Sequence, residues 1–254
     1  MKILLHISFL GTAYAGYQIQ KDQNTVQKVL CDGAERVFGF PCDITGCSRT
    51  DSGVHAKHFC ATVTEKGKNT LHTSIPTERI PLAFGSVLPS DVSVFDAEEV
   101  SEDFHPRYDV LEKEYEYRIY NRRTRDPFSA DRSWHYPKRI DDEALSKMRR
   151  AAKQLVGRHD FAAYMASGSS VEDTVREVKA AEVTREGDFI VFRVSADGFL
   201  YNMVRIFTGT LIGVAEGKIS PEEISSITES KDRSRAGVTA PAAGLYLNRV
   251  TYRK

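Results

Sequence analysis

Lys113-Glu114-Tyr115-Glu116-Tyr117-Arg118-Ile119-Tyr120 alternates strictly between two kinds of residue. In an extended chain successive side chains point to opposite sides, so Tyr115, Tyr117 and Ile119 share one face and Glu114, Glu116 and Arg118 the other. This predicts a half-buried antiparallel strand, because strands of parallel sheets are covered on both faces and read as unbroken apolar runs. The charged face is expected to meet solvent.

Further strands are expected on either side. Residues 177–184 and 189–196 flank Arg185-Glu186-Gly187-Asp188, a hairpin signal, and 245–252 closes the chain as a strand. Toward the N-terminus, 92–95, 58–64 and 2–9 read as strands, the last with Ile3, Leu5, Ile7 and Phe9 on one face. Between them, Asn24 or Thr25 can cap a helix carrying Val26, Val29, Leu30, Ala34 and Val37, which ends near Gly39 and Pro41. Residues 81–87 form a short helical candidate. Residues 141–155 place Leu145, Met148, Ala152 and Leu155 on one helical face, with Asp142 and Glu143 in the first turn, where the helix dipole favours acids. Residues 199–214 offer Phe199, Met203, Ile206 and Val214 as a buried stripe. Strands interrupted by one or two helices in each half indicate an α+β protein, an antiparallel sheet with helices on one face. The acidic stretch at 98–104 (Glu98, Glu99, Glu102, Asp103) is the expected boundary between subdomains 1–100 and 101–254.

A chain of 254 residues buries roughly three quarters of its unfolded surface, enough for one large domain or two small ones sharing a sheet. No apolar run reaches the roughly 18 residues of a membrane span, and the first nine residues read as a strand rather than a signal peptide. Cys31, Cys42, Cys47 and Cys60 form no CxxC pair and fit no usual zinc spacing, so reduced thiols in a cytoplasmic protein are expected. Thirty-five basic residues balance 35 acidic ones. A nucleic-acid partner must therefore be argued from local clustering.

Chemistry concentrates in Gly46-Cys47-Ser48-Arg49-Thr50-Asp51-Ser52-Gly53-Val54-His55-Ala56. Gly46 and Gly53 allow a tight loop that holds Asp51 at a cleft, and a carboxylate flanked by a cation and hydroxyls stays ionised, as a nucleophile requires. An Asx-type turn in which Asp51 satisfies nearby N–H groups is the alternative. Tyr115, on the apolar face of its strand, reads from its spacing as a core tyrosine. Arg205, in the apolar stretch Asn202-Met203-Val204-Arg205-Ile206-Phe207, is either a rim arginine or a cation for Asp51. Seven basic residues between 118 and 139 interleave with Phe128, Trp134 and Tyr136, which suits loop or single-stranded RNA as well as a solvated charged loop. His55 and His58 have no cysteine or carboxylate at ligand spacing and read as structural, so no metal is expected. The Gly-x-Ser-x-Gly elbow and the Walker A and Gly-x-Gly-x-x-Gly motifs are missing, which speaks against a serine hydrolase and a nucleotide cofactor.

Arg49-Thr50-Asp51-Ser52-Gly53-Val54-His55-Ala56 resembles the signature of the TruA-type tRNA pseudouridine synthases, whose Asp is the nucleophile. Lys113-Glu114-Tyr115-Glu116-Tyr117 is similar to the family's Lys-x-Tyr-x-Tyr, and Met203-Val204-Arg205 to its Met-Val-Arg. Tyr14-Ala15-Gly16-Tyr17-Gln18, Thr25-Val26-Gln27, Phe104-His105-Pro106-Arg107-Tyr108, Gly157-Arg158-His159-Asp160-Phe161, Thr174-Val175-Arg176 and Gly244-Leu245-Tyr246-Leu247 follow in the family's order. Tyr17, Cys47, Ser48, Ser52 and Gly85 depart from its usual Trp, Ala, Gly, Ala and Asn. The resemblance implies isomerisation of uridine to pseudouridine in the anticodon stem-loop of tRNA (positions 38–40). Asp51, Tyr115 and Arg205 would be catalytic, with Tyr115 stacking on the base and Arg205 paired with Asp51. Arg49, which would fill the space left by the flipped nucleotide, Arg107 and Arg118 would bind substrate. No cofactor is implied, and the partners are tRNA and a second copy in a homodimer. The implied fold is two similar α/β subdomains sharing a continuous, mainly antiparallel sheet with a catalytic cleft between them. An RNA-binding protein without catalysis, a family copy acting on other uridines and a nucleoside-cleaving hydrolase are the alternatives.

Overall fold

A computed structural model describes residues 1–168 and 171–253. In chain order the elements are β1 Lys2–Phe9, α1 Val26–Phe38, β2 Cys42–Gly46, β3 His55–Glu65, α2 Ile80–Gly85, β4 Val92–Val100, β5 Val110–Tyr120, β6 Trp134–His135, α3 Asp142–Lys153, β7 Gly157–Asp160, β8 Val175–Glu186, β9 Phe189–Ala196, α4 Met203–Ala215, α5 Glu223–Ser230 and β10 Leu245–Tyr252. The fold is α+β with mostly antiparallel pairing, as expected. None of the described helices is long and apolar enough to cross a membrane.

The chain forms two compact units, Met1–Leu111 with Leu247–Lys254 and Glu112–Tyr246. It therefore leaves the first unit after Leu111 rather than in the acidic stretch at 98–104, and its last strand returns to that unit. The acidic residues are no linker because β4 runs through Glu98 and Glu99, paired along β1.

In the first unit the strand order is β4-β1-β3-β10, with β2 pairing the other part of β3. Ile3, Leu5 and Ile7 of β1 are fully buried with Phe59, Ala61 and Val63 of β3. Helix α1 packs on β2, and α2 on β4. Thr25, not Asn24, caps α1 by accepting from the Lys28 N–H, a bond worth about 1 kcal/mol. Gly39 ends the helix in the left-handed conformation (φ 81°).

In the second unit the order is β5-β9-β8-β7, antiparallel throughout, and the two-residue β6 pairs in parallel with Ile119 and Tyr120 of β5. Tyr115, Tyr117 and Ile119 are buried, as their alternation predicts. The opposite face departs from expectation at Glu116, which is 2% exposed. Its cross-strand neighbour Arg193 closes over it, with Nε 3.0 Å and Nη2 2.9 Å from the same carboxylate oxygen. A buried carboxylate is tolerated when a guanidinium fork meets it in this way. Asp141 caps α3 through the Ala144 N–H at 2.9 Å. Helix α4 begins at Met203, four residues later than its apolar stripe predicts, because Asn202 is left-handed (φ 60°) and breaks the helical path.

Candidate functional site

Asp51 lies half-buried in the loop between β2 and β3 of the first unit. Backbone bonds set the loop's path. The Tyr17 N–H donates to Thr50 O (3.1 Å), the Gly53 N–H to Tyr14 O (3.4 Å), and the Val54 N–H to Asp51 O (3.1 Å), which closes a tight turn around the carboxylate. Ser52 Oγ also donates to Tyr14 O at 3.2 Å. Segment 14–17 thus lies directly against the loop. At Gly16 the fit depends on glycine: its φ is 93°, and a Cβ there would stand 2.5 Å from Thr50 O. Below the loop, Cys47 is fully buried, and His55 accepts the Gly11 N–H at 2.9 Å, the structural role expected of it. The buried Tyr17 hydroxyl and Thr50 Oγ1 find no hydrogen-bond partner among the described residues.

Beside this loop the first unit has a pocket of about 210 Å³ whose lining includes Tyr17, Ser48, Arg49, His105, Arg107 and Tyr108. The structure thus brings Arg49 and Arg107, two of the expected substrate residues, to one pocket, both of them exposed. Tyr108, 76% exposed, lies against the His105 ring with centroids 4.3 Å apart. No sequence pattern singles out this ring pair, although an exposed tyrosine and a partly exposed histidine beside two arginines are the kind of surface that unstacked bases prefer.

The other three expected residues belong to the second unit. Tyr115 is 7% exposed and meets Phe199 edge-on at 5.0 Å. Arg118 lies over the Phe189 ring at 4.6 Å and 3.8 Å from Glu116, so a cation–π contact and an ion pair both restrain it. Arg205 is half-buried near the start of α4, a helix apolar on nearly every side. Its Nε donates to Ala240 O (2.7 Å) and its Nη1 to Asn202 Oδ1 (2.6 Å). Because Asn202 accepts from Arg205, its side chain does not cap the helix. The segment that receives Arg205 is fixed from both ends: the Ala240 N–H donates to Arg205 O at 3.1 Å, and the Gly237 N–H to Thr210 Oγ1 at 2.9 Å.

The basic stretch at 118–139 contributes to a second cleft, of about 820 Å³, lined by Asn121, Arg122, Arg123, Lys138, Arg139 and Arg185 among others. Part of its charge is offset internally, Arg122 by Asp188 at 2.7 Å and Lys138 by Glu216 at 2.8 Å. Arg185, from the far side of the β8–β9 hairpin, was not part of the sequence cluster. It donates to Ile140 O.

A family profile described as tRNA pseudouridine synthase matches residues 151–253. Over nearly its whole length the chain is similar to curated proteins named tRNA pseudouridine synthase A. It is 42% identical over 252 residues to that of Thermoanaerobacter sp. (strain X514), covering 98% of this chain and 99% of the relative. It is 42% identical over 252 residues to that of Ruminiclostridium cellulolyticum and 41% over 258 to that of Bacillus pumilus, with 99% of both chains covered in each case.

Proposed function

This chain belongs to the tRNA pseudouridine synthase family, and on that premise we propose that it isomerises uridine to pseudouridine in the anticodon stem-loop of tRNA. The observation that carries the reading is the identity of about two residues in five along the full length of proteins that bear that name.

Asp51 attacks the ribose at C1′ or removes the 2′ proton, and the N1–C1′ bond breaks with its electrons left on uracil. The base turns and a bond forms between C5 and C1′ as the Asp51–C1′ bond breaks or, on the second route, as C2′ regains its proton; the C5 proton then leaves while N1 gains one, so nothing is added or lost overall. A carboxylate serves either role only while ionised. The tight turn at Val54 N–H and Asp51 O holds the residue in place before substrate arrives. Tyr115 provides an aromatic face for a base that has lost its stacking neighbours, an uncovering that costs a few kcal/mol. Arg205 supplies the counter-charge for the nucleophile. Arg49 and Arg107 bind the displaced strand at the first unit's pocket, with Arg49 filling the space of the flipped nucleotide. Arg118 and the cleft of Arg122, Arg123, Arg139 and Arg185 take phosphates, which makes binding salt-dependent although the chain's net charge is zero. The same reading implies a homodimer in the cytoplasm, and light scattering with and without tRNA measures the first of these.

Tritium release from tRNA transcripts carrying 5-tritiated uridine tests the reaction. Wild type should release tritium and leave pseudouridine in the anticodon stem-loop, and Asp51→Ala should bind tRNA without releasing any. Release of free uracil would indicate a hydrolase, and product mapped outside the stem-loop would indicate a family copy with other targets. Binding with no release from any tRNA would defeat the catalytic reading.

A further inference from the structure

His58 looks partnerless along the chain, but pairing of β1 with β3 supplies partners. His6 lies directly across from Cys60, and His58, two residues before Cys60 on the same strand, shares its face. His6 Nδ1 is 2.8 Å from His58 Nε2, and Cys60 Sγ is 3.7 Å from the first and 3.5 Å from the second. Phe95 packs on both imidazoles, with centroids 6.2 and 5.6 Å away. We propose that His6 Nδ1, His58 Nε2 and Cys60 Sγ form a three-ligand site for a zinc-class ion, lying in the first unit and independent of the proposed RNA chemistry.

Bond lengths support this arrangement. Zn–N bonds of about 2.05 Å and a Zn–S bond of about 2.3 Å at tetrahedral angles place the two nitrogens about 3.4 Å apart and each about 3.6 Å from the sulfur. Both N···S distances already match, and the imidazoles need to separate by only about 0.6 Å. The far side of one ligand is also prepared. Glu98 Oε1 lies 3.1 Å from His6 Nε2, where it accepts the Nε2 proton and leaves the Nδ1 lone pair directed at the cluster. A carboxylate behind a ligating histidine fixes its tautomer in this way at established metal sites.

Three donors of nitrogen and thiolate character suit zinc over magnesium or calcium, which take oxygen. On binding, Cys60 releases one proton to solvent and the His58 proton moves from Nε2 to Nδ1.

The test is a cobalt titration of the full chain after chelation and desalting. One Co²⁺ per chain should give tetrahedral d–d bands and a near-ultraviolet thiolate-to-cobalt band. Zn²⁺ should displace the Co²⁺, bind with a Kd below about 1 μM, and release one proton per ion in unbuffered solution. Cys60→Ser should abolish the near-ultraviolet band, Cys31→Ser and Cys42→Ser should leave it, and Glu98→Gln should keep it while weakening binding about 10- to 100-fold. His58→Gln, at a half-exposed position, is the second ligand variant should Cys60→Ser fail to fold. It should weaken binding by at least about 100-fold. A missing thiolate band in wild type, or unchanged binding in His58→Gln or a folded Cys60→Ser, would reduce the cluster to a hydrogen-bonded contact.

Discussion

The loop that holds Asp51 and the helix that holds Arg205 are positioned by different means. Around Asp51 the N–H groups of Tyr17, Gly53 and Val54 fix the path, while the buried Tyr17 hydroxyl and Thr50 Oγ1 contribute no hydrogen bond among the described residues. Around Arg205 side chains act: its guanidinium spans Ala240 O and Asn202 Oδ1, and Thr210 Oγ1 receives the Gly237 N–H. A site fixed by backbone tolerates changes of side chain and resists changes of backbone freedom, and one fixed by side chains does the reverse. The departures from the family pattern fit this contrast. Tyr17, Cys47, Ser48 and Ser52, four of the five departures, lie in or against the Asp51 loop (the fifth, Gly85, ends α2), whereas Met203-Val204-Arg205 keeps the family's Met-Val-Arg.

Arg205→Ala tests the contrast most severely. On the proposed chemistry it should lower the rate of tritium release about 10²- to 10³-fold, the loss typical of removing one fixed electrostatic contact in a reaction site. Arg205→Lys should recover little, because an ammonium cannot span two acceptors as a planar fork does. Full rescue by lysine would show that charge alone matters and that the side-chain scaffold is incidental.

Gly16→Ala should have the next largest effect, through stability. The substitution combines a φ of 93° with a Cβ 2.5 Å from Thr50 O and 3.3 Å from the Asp51 carbonyl carbon, so either the residue or the loop must move. A loss of about 2–3 kcal/mol is expected from denaturant melts, with a fall in kcat larger than any rise in KM. A variant as stable and active as wild type would mean that backbone fit does not position the loop.

Period-two alternation and helix caps made most elements legible in the sequence, and the carboxylate loop stood out because small, polar and charged residues crowd between a helix and a strand. What escaped depends on register. Glu116 reads as a surface residue until β9 places Arg193 across from it, and His58 reads as isolated until β1 places His6 opposite Cys60. Arg185 joins the basic cleft only because the β8–β9 hairpin returns it there. The late start of α4 was hidden because Asn202 sits inside an apolar run, and its left-handed backbone (φ 60°), which asparagine adopts more readily than most residues, sets the boundary. Pairings across strands leave no local trace, so sequence patterns located the strands but not their opposite residues.

The second unit's reliance on side-chain posts extends to Glu216, which accepts from the Tyr136 hydroxyl at 2.6 Å and pairs with Lys138 and Lys218. Lys138, Lys218 and the Tyr136 hydroxyl hold its carboxyl down at about 2, against an ordinary 4.5. A depressed carboxyl contributes stability that is present above the unfolded value and lost as pH falls through the folded one. Wild type should therefore exceed Glu216→Gln by about 1 kcal/mol above pH 4.5, and the gap should close by about pH 2. A gap that does not change with pH would indicate that packing, rather than the ion pairs, fixes this post.

Ser52→Ala should have the smallest effect, and it tests the contrast from the other side. The hydroxyl donates to Tyr14 O at 3.2 Å, an acceptor that the Gly53 N–H already reaches at 3.4 Å. Ser52 itself is exposed, so no buried group is left unsatisfied when the hydroxyl goes. Stability should change by less than about 0.5 kcal/mol, and tritium release by less than about threefold. The substitution also restores the family's usual residue, which makes a large effect still less expected. If Ser52→Ala cost as much as Gly16→Ala, the loop would depend on its side chains after all, and the two regions would be held by one principle.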